Sequence, residues 1–259
     1  MTSEQKEVRY ELLRPAEVIR QREACPLAYL PMGPIEWHGW HNPLGLDGIK
    51  AHELCLRAAR KGGGLVFPVV WYGEHRESHL AEANRPASPA IAESMKLPKE
   101  NFDQGYMGQR TVGQQAQLFL DLVFHILYQM ESLGFQAVYL VAGHGPLLPY
   151  LTLAGSLFER RTGVKVAAEH TGAMVDGFAE GHGGRLETGV ILTTRPELVD
   201  LSQLPDGDPA QIVGVAGEDP REQSQQTGDT FVPLCVEHMV KQARELLERD
   251  PSDGRLEIE

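Results

Sequence analysis

The chain has 259 residues, with 24 Lys and Arg against 36 Asp and Glu, which gives a formal net charge of −12. Proteins that bind nucleic acid by neutralising phosphates need a basic surface, so this acidic balance argues against nucleic acid as a partner. The composition is 42% apolar and 23% charged, which excludes disordered and fibrous classes. Ten histidines beside the acidic excess supply imidazole and carboxylate groups, the ligands of borderline divalent metals.

The cysteines and the N-terminal residues predict a reducing, cytoplasmic location. Cys25, Cys55 and Cys235 are odd in number and form no CxxC pair, which argues against a disulfide framework. Residues 1–26 contain no apolar run typical of a secretory signal. No window approaches the roughly 20 apolar residues that a membrane helix needs, so no membrane association is expected.

Strands and helices alternate in the predicted order. A short apolar run predicts a strand over Pro26–Met32, and Gly48–Lys61 predicts a helix that ends at the glycines of positions 62–64. Leu65–Val70 is a second predicted strand. Residues 71–113 are rich in Pro, Asn, Ser and Glu, and we expect an irregular excursion with little packed core of its own.

The second half of the chain continues this alternation. The helix predicted over Gln114–Leu133 carries apolar residues at positions 118, 122, 126, 130 and 133, with Gly134 as its C-cap. The continuous apolar run Phe135–Ala142 is typical of a strand buried on both faces of a parallel sheet. The remaining predicted elements are a helix over Leu147–Arg161, a strand over Val164–Ala168 and a helix over Val236–Arg249. This order predicts a mostly parallel sheet with helices on both faces, and residues 1–259 are expected to form a single domain.

Polar residues follow the first predicted strand in the segment GPIEWHGWHNPLGLD, residues 33–47. Ligands of open α/β sheets bind beyond the carboxyl ends of the strands, where this segment lies. Glu36 and His38 point the same way in an extended segment, because side chains there alternate with period two. Asp47 can return to the same point and complete a metal site. Alternatively, the segment is a solvated turn and Asp47 is the N-cap of the following helix.

Two further segments supply residues that could join this site. In VAGHGP, His144 lies between two glycines at the end of a predicted strand, where glycine permits close approach of a ligand. An exposed strand-to-helix turn is the alternative. In GHGGRLETG, residues 181–189, a glycine segment with His182 leads into a short predicted helix with Glu187. By itself this His–Glu pair is more typical of a surface contact than of a site.

The three segments together resemble the creatininase family, the creatinine amidohydrolases, which include formamide deformylases and a peptidase of mycofactocin maturation. The first segment matches the family pattern Gly-x-x-Glu-x-His-Gly-x-His-x-Pro, followed within a few residues by Asp. AGHG corresponds to the family's Asn-Gly-His-Gly, and HGGRLETG, with RPEL at 195–198, corresponds to its His-Ala-Gly-x-x-Glu-Thr-Ser and Arg-Pro-Glu-Leu. Ala142, Gly189 and Pro146 depart from the pattern, and Pro146 stands where creatininase itself has a glutamate.

The resemblance implies a three-layer α/β/α sandwich, creatininase-like, and an often hexameric homo-oligomer. It also implies a centre of two divalent metal ions, commonly zinc, manganese or iron. Glu36 and His144 would hold one ion, His38 would hold the other, and Asp47 would bridge them. In the place of the missing glutamate we expect Glu187.

Glu169, at the end of its predicted strand, is the alternative to Glu187 as a ligand. His182 matches the family histidine that is placed for proton transfer. The implied reaction is hydrolysis of a C–N amide bond in a small substrate, such as a cyclic amide or a formamide, by a water that two metals activate. A short-peptide peptidase of the mycofactocin type and a non-catalytic protein that only binds metal or ligand are the alternatives.

The unusual composition of the excursion leaves the substrate open. Its candidates to line a pocket or form a lid are Trp71, Tyr72, Glu74, His75 and Tyr106. Surface or subunit contacts explain any one of them equally well. His41 matches the second histidine of the family pattern and is expected to support the ligands without binding metal.

Overall fold

The computed structural model describes residues 6–73, 88–97, 112–179 and 181–250. Its strands are β1 (Leu27–Met32), β2 (Leu65–Val66), β3 (Ala137–Ala142) and β4 (Lys165–His170). Its α-helices are α1 (Pro15–Ala24), α2 (Leu46–Gly62), α3 (Ser88–Ser94), α4 (Val112–Ser132), α5 (Leu148–Thr162), α6 (Arg185–Thr194) and α7 (Ser224–Glu248). None of these helices is both long and apolar enough to cross a membrane.

A four-stranded parallel sheet in the order β2–β1–β3–β4 forms the centre of the fold. The register pairs Met32 with Ala142 and Ala142 with His170, so β1, β3 and β4 end at one level. The loops that follow these three strands therefore start side by side. This shared edge is where ligands of parallel sheets bind.

Side chains of the sheet alternate between two cores. Leu27 and Tyr29 of β1 pack with α2, α6 and α7, whereas Ala28 and Leu30 pack with α4 and α5. Every residue of β1 and β3 is buried, as expected for strands covered on both faces. Burying one aliphatic side chain of this kind contributes about 1.5–3 kcal/mol. The predicted three-layer α/β/α sandwich is confirmed.

Helix α4 forms where it was predicted, but only part of the predicted face packs. Met130 is buried as predicted, and Ile126 and Leu133 are partly buried against the same core. The other buried apolar side chains are Phe119, Val123 and Leu127. Leu118 and Leu122, which were expected on the buried face, are 57% and 40% exposed. The helix carries two neighbouring apolar stripes, so periodicity alone could not select the stripe that faces the sheet.

Several predicted boundaries were wrong. Strand β2 ends at Val66 and not at Val70, since Pro68 has no N–H to continue the ladder. Helix α7 begins at Ser224 and continues through Pro233, well before the predicted start at Val236.

The excursion also holds more structure than was expected. Helix α3 lies within it, and its Ile91 is fully buried beside Trp37. Residues 74–87 and 98–111, and with them the candidates Glu74, His75 and Tyr106, lie outside the described residues.

Candidate metal centre

Segments after β1 and β3 and the first turns of two helices converge at the carboxyl edge of the sheet. The loop after β1 supplies Glu36 and His38, α2 supplies Asp47, the turn after β3 supplies His144, and α6 supplies Glu187. All five residues are at most 9% exposed. Burying so many ionisable groups is costly unless each finds a partner of complementary charge.

These side chains form two groups, called ligand groups below, that could each hold a metal ion and that share one residue. The first ligand group is Glu36, Asp47 and His144, and the second ligand group is His38, Asp47 and Glu187. Within each group the candidate ligand atoms all lie within 4.8 Å of one another. Asp47 Oδ2 lies 3.3 Å from His144 Nδ1, whereas Asp47 Oδ1 lies 3.4 Å from His38 Nε2. Asp47 therefore presents one oxygen to each group, which is the arrangement a bridging ligand needs.

The donor atoms of this cluster fit divalent metal ions. His38 Nε2 and Asp47 Oδ2 are buried and make no hydrogen bond of acceptable geometry in the described part of the chain. An uncompensated buried polar atom costs about 1–3 kcal/mol. His38 Nδ1 lies 3.0 Å from the carbonyl oxygen of Glu36, to which it can donate, and this contact leaves Nε2 as the ligand atom. Imidazole and carboxylate together suit zinc, manganese and iron.

The charges of the cluster perturb the pKa of its members. Burial alone lowers the pKa of His38, but Asp47, with Glu187 and Glu36, outweighs burial and raises it to about 9. His144 has its pKa raised to about 10 in the same way, by Asp47 and Glu36. Burial alone raises the pKa of Asp47, yet its contacts with both histidines hold that pKa well below the usual value. Because a histidine that ligates a metal must be neutral, metal binding here would displace protons.

Two glycines allow α2 to begin against the edge of the sheet. A Cβ atom on Gly33, which follows β1, would lie 2.3 Å from the backbone nitrogen of Gly48. A Cβ atom on Gly143, which follows β3, would lie 2.0 Å from the carbonyl oxygen of Asp47. The N-cap of α2 is Gly45, so Asp47 lies inside the first turn and does not cap the helix. Only glycine at these strand ends permits Asp47 to reach the ligand groups.

Gly143→Ala is expected to push the first turn of α2 away from the sheet, lower the stability by about 1–3 kcal/mol and reduce the bound metal. Thermal unfolding and elemental analysis measure the two effects. Gly177→Ala is the matched control, because Gly177 has a φ of 85° and a Cβ atom added there would have nothing within 4 Å. That control should show only backbone strain of about 1–2 kcal/mol. A full metal content in Gly143→Ala would contradict the packing argument.

Lys50 belongs to the site, although no role was predicted for it from the sequence. It is 3% exposed, its Nζ pairs with Glu187 Oε1, and it lies 3.5 Å from Asp47 Oδ1. Burial lowers the pKa of Lys50, but Glu187 and Asp47 outweigh burial and raise it, so the ammonium keeps its charge. Its spacing from Asp47 was the available signal, because residues i and i+3 lie on one face of a helix.

His182 lies beside the ligand groups. Its ring stacks on the ring of His38 with centroids 4.2 Å apart, and its Nε2 lies 2.6 Å from the carbonyl oxygen of Trp37. A carbonyl oxygen only accepts, so Nε2 donates and Nδ1 is left as the proton acceptor. Burial and the charge of His38 lower the pKa of His182, which keeps the ring neutral near pH 7.

His41 joins the loop after β1 to the start of α6. Its Nε2 lies 3.0 Å from Thr188 Oγ1 and 3.1 Å from the carbonyl oxygen of Gly183. Burial lowers the pKa of His41 to about 4, so the ring is neutral. These contacts hold the loop after β1 against the start of α6, and the supporting role of His41 stays a prediction.

The described residues line a half-open cavity of about 170 Å³ beside the ligand groups. Besides candidate ligand residues, His182 and Lys50, its walls include His170 at the end of β4, Thr171 directly after it, and Phe231 of α7. Trp71 and Tyr72, which were expected to line a pocket, are not among the described lining residues. The Trp71 ring instead packs beside Gly48, and Tyr72 is 75% exposed.

Glu169, the alternative ligand, lies elsewhere. It accepts a hydrogen bond from the Tyr139 hydroxyl, and its Oε2 lies 3.0 Å from His238 Nε2 on the face of the sheet that α7 covers. Among the described residues, the structure therefore brings Glu187 and not Glu169 to the cluster.

One departure from the family pattern has a packing cause. A Cβ atom on Gly189 would lie 2.3 Å from the carbonyl oxygen of Ser224, and one on Gly228 would lie 1.9 Å from the carbonyl oxygen of Gly189. Helices α6 and α7 therefore cross too closely for a serine at position 189. The glycine at position 189 is explained by this helix contact and gives no indication of the substrate.

The fold and the site define an α/β protein with a buried centre of carboxylate and imidazole groups. The family model described as creatininase, creatinine amidohydrolase, matches residues 11–243, so the chain belongs to the creatininase family. A creatinine amidohydrolase of Pseudomonas putida is 24% identical over 243 residues, which cover 83% of this chain and 88% of that protein.

Solved structures agree with this assignment at the level of the fold. A crystal structure of creatinine amidohydrolase (creatininase) has a TM-score of 0.72 at 20% identity, over 93% of this chain and 98% of that chain. A variant creatininase of the Zn–Zn type has a TM-score of 0.71 at 21% identity, with the same two coverages.

Proposed function

We propose that the protein is a metal-dependent amidohydrolase that hydrolyses a C–N amide bond of a small substrate. The observation that carries this proposal is the pair of buried ligand groups that share Asp47 beside a cavity. Membership of the creatininase family supports C–N chemistry, and the Zn–Zn type of a creatininase with the same fold supports two metal positions.

The residues of the centre have different roles in such a hydrolysis. A bound divalent ion supplies a Lewis acid for the amide carbonyl and a water of lowered pKa. Glu36 and His144 on one side, and His38 and Glu187 on the other, hold the ligand positions around Asp47. His182 Nδ1 accepts a proton from the attacking water and delivers it to the leaving nitrogen, a task that suits a neutral imidazole.

The size of the cavity favours a small molecule. Its volume of about 170 Å³ is smaller than the roughly 300–1,000 Å³ of sites for drug-sized ligands. A cyclic amide or a formamide suits this space better than a peptide does. We propose zinc, manganese or iron as the metal, and the homo-oligomer and the cytoplasmic location stay predictions.

The test is an activity screen of the manganese- and zinc-loaded protein against creatinine, formamides, lactams and short peptides. We expect turnover of at least one small amide, loss of that turnover with EDTA and its return on adding metal. Mass spectrometry of the products identifies the broken bond. Cleavage of peptides alone would select the peptidase alternative, and a metal-loaded protein inert toward the whole panel would favour the non-catalytic one.

A further inference from the structure

Lys50 occupies one side of the centre. Its Nζ pairs with Glu187 Oε1, and the Asp47 oxygen nearest to it is Oδ1, at 3.5 Å. His38 Nε2 lies 3.4 Å from that same Asp47 oxygen and 3.8 Å from Glu187 Oε2. The ammonium thus engages both carboxylates of the second ligand group. The other oxygen of Asp47, Oδ2, faces His144 in the first ligand group.

The Lys50 ammonium is shielded from water and cannot easily leave its two carboxylate partners. Lys50 is 3% exposed, so its charge depends on Glu187 and Asp47 for compensation. Removing one partner of such a buried pair is strongly unfavourable, because the other charge is left without compensation. A metal ion that takes the two carboxylates as ligands has to displace Lys50 and meet this cost.

The formal charges of the centre also favour one divalent ion over two. Glu36, Asp47 and Glu187 carry three negative charges, Lys50 carries one positive charge, and histidines that ligate a metal are neutral. Two negative charges remain, and one divalent ion neutralises them. A second ion would leave two uncompensated positive charges in a buried site, unless Lys50 or added anions adjusted the balance.

We infer that Lys50 makes the two metal positions unequal. One divalent ion binds tightly at the first ligand group, and the second ligand group accepts an ion only when the Lys50 ammonium moves away from Glu187 and Asp47. This inference rests on the proposed metal-dependent function and refines it. With a single ion bound, the Lys50 ammonium remains a positive group on the cavity wall, where it faces the substrate space.

Metal binding itself provides the test. Chelator-treated protein is titrated with Mn²⁺ by calorimetry, and the bound metal is counted by elemental analysis after dialysis. We expect one tight ion in the wild type and a second with an affinity lower by about 10- to 100-fold, the range over which neighbours of metal ligands act. Lys50→Met removes the charge, so its two affinities should become comparable.

Two variants serve as controls. Lys50→Arg keeps the charge and should behave as the wild type. Lys61→Met removes an exposed lysine at the other end of α2 and should leave both affinities unchanged. Circular dichroism checks folding, and Lys50→Gln replaces Lys50→Met if the latter does not fold.

The outcomes separate the two proposals. Two ions of equal affinity in the wild type, or unequal affinities that persist in the neutral Lys50 variants, would overturn the role of Lys50 and leave the metal-dependent function standing. A chain that binds no Mn²⁺ or Zn²⁺ in any variant would refute the metal centre itself.

Discussion

Asp47→Ala is expected to remove most of the bound metal, because Asp47 belongs to both ligand groups. Each group loses one of three ligand side chains, and the space between His38 and His144 loses the carboxylate that separates them. Losing a group that only supports a ligand already costs about 10- to 100-fold in metal affinity, so the loss of a shared ligand should cost more than about 100-fold. Elemental analysis of protein purified with Mn²⁺ or Zn²⁺ measures the occupancy.

Asp121→Ala is the control for this experiment, since Asp121 is an exposed aspartate on α4. Its metal content should equal that of the wild type. Loss of a single ion from Asp47→Ala would show that Asp47 is a ligand of one position and not a bridge. Unchanged occupancy would remove Asp47 from the centre altogether.

The site was largely predictable because it follows from two rules of parallel sheets. Strands that end in register place their following loops side by side, and residues two apart in an extended segment face the same way. These rules place Glu36 close to both His38 and His144. These rules do not predict the contact between Glu187 and the cluster, because the segment that carries Glu187 is far from β1 and β3 along the chain. The resemblance to the family predicted that contact.

The features that were missed depend on tertiary packing. Lys50 looked like an ordinary charged residue of an amphipathic helix, although the same turn that carries Asp47 turns Lys50 inward. Packing against the sheet determines which side chains of α4 are buried. The helix sequence alone does not, because Leu118 and Leu122 are as apolar as the residues that pack. The early start of α7 was missed because the helix continues through Pro233, where the lost hydrogen bond and the clash of the ring with the preceding turn cost about 3 kcal/mol that packing has to offset.

His182→Ala is expected to keep the metal and lose turnover. His182 stacks on His38 and donates to the Trp37 carbonyl, and Nδ1 is the atom left to accept a proton. General acid–base catalysis contributes about 10²- to 10⁴-fold, so kcat should fall by that factor on whichever amide the protein hydrolyses. Steady-state kinetics and elemental analysis on the same preparation measure both quantities. His125→Ala, which changes an exposed histidine of α4, is the matched control and should leave both unchanged.

The same variant distinguishes proton transfer from metal ligation. Ligand atoms of Glu36, His38 and His182 also lie within 4.8 Å of one another, so a ligand role for His182 is geometrically open. If His182 is a metal ligand, its removal lowers the metal occupancy, so that occupancy and kcat fall together in His182→Ala. A proton carrier leaves occupancy intact, and added imidazole can restore part of the rate through the space that the side chain vacates. Wild-type turnover in His182→Ala would exclude both roles. The proton would then have to pass through another group on the cavity wall. Apart from the proposed ligands, the ionisable candidates among the described lining residues are His170 and Lys50.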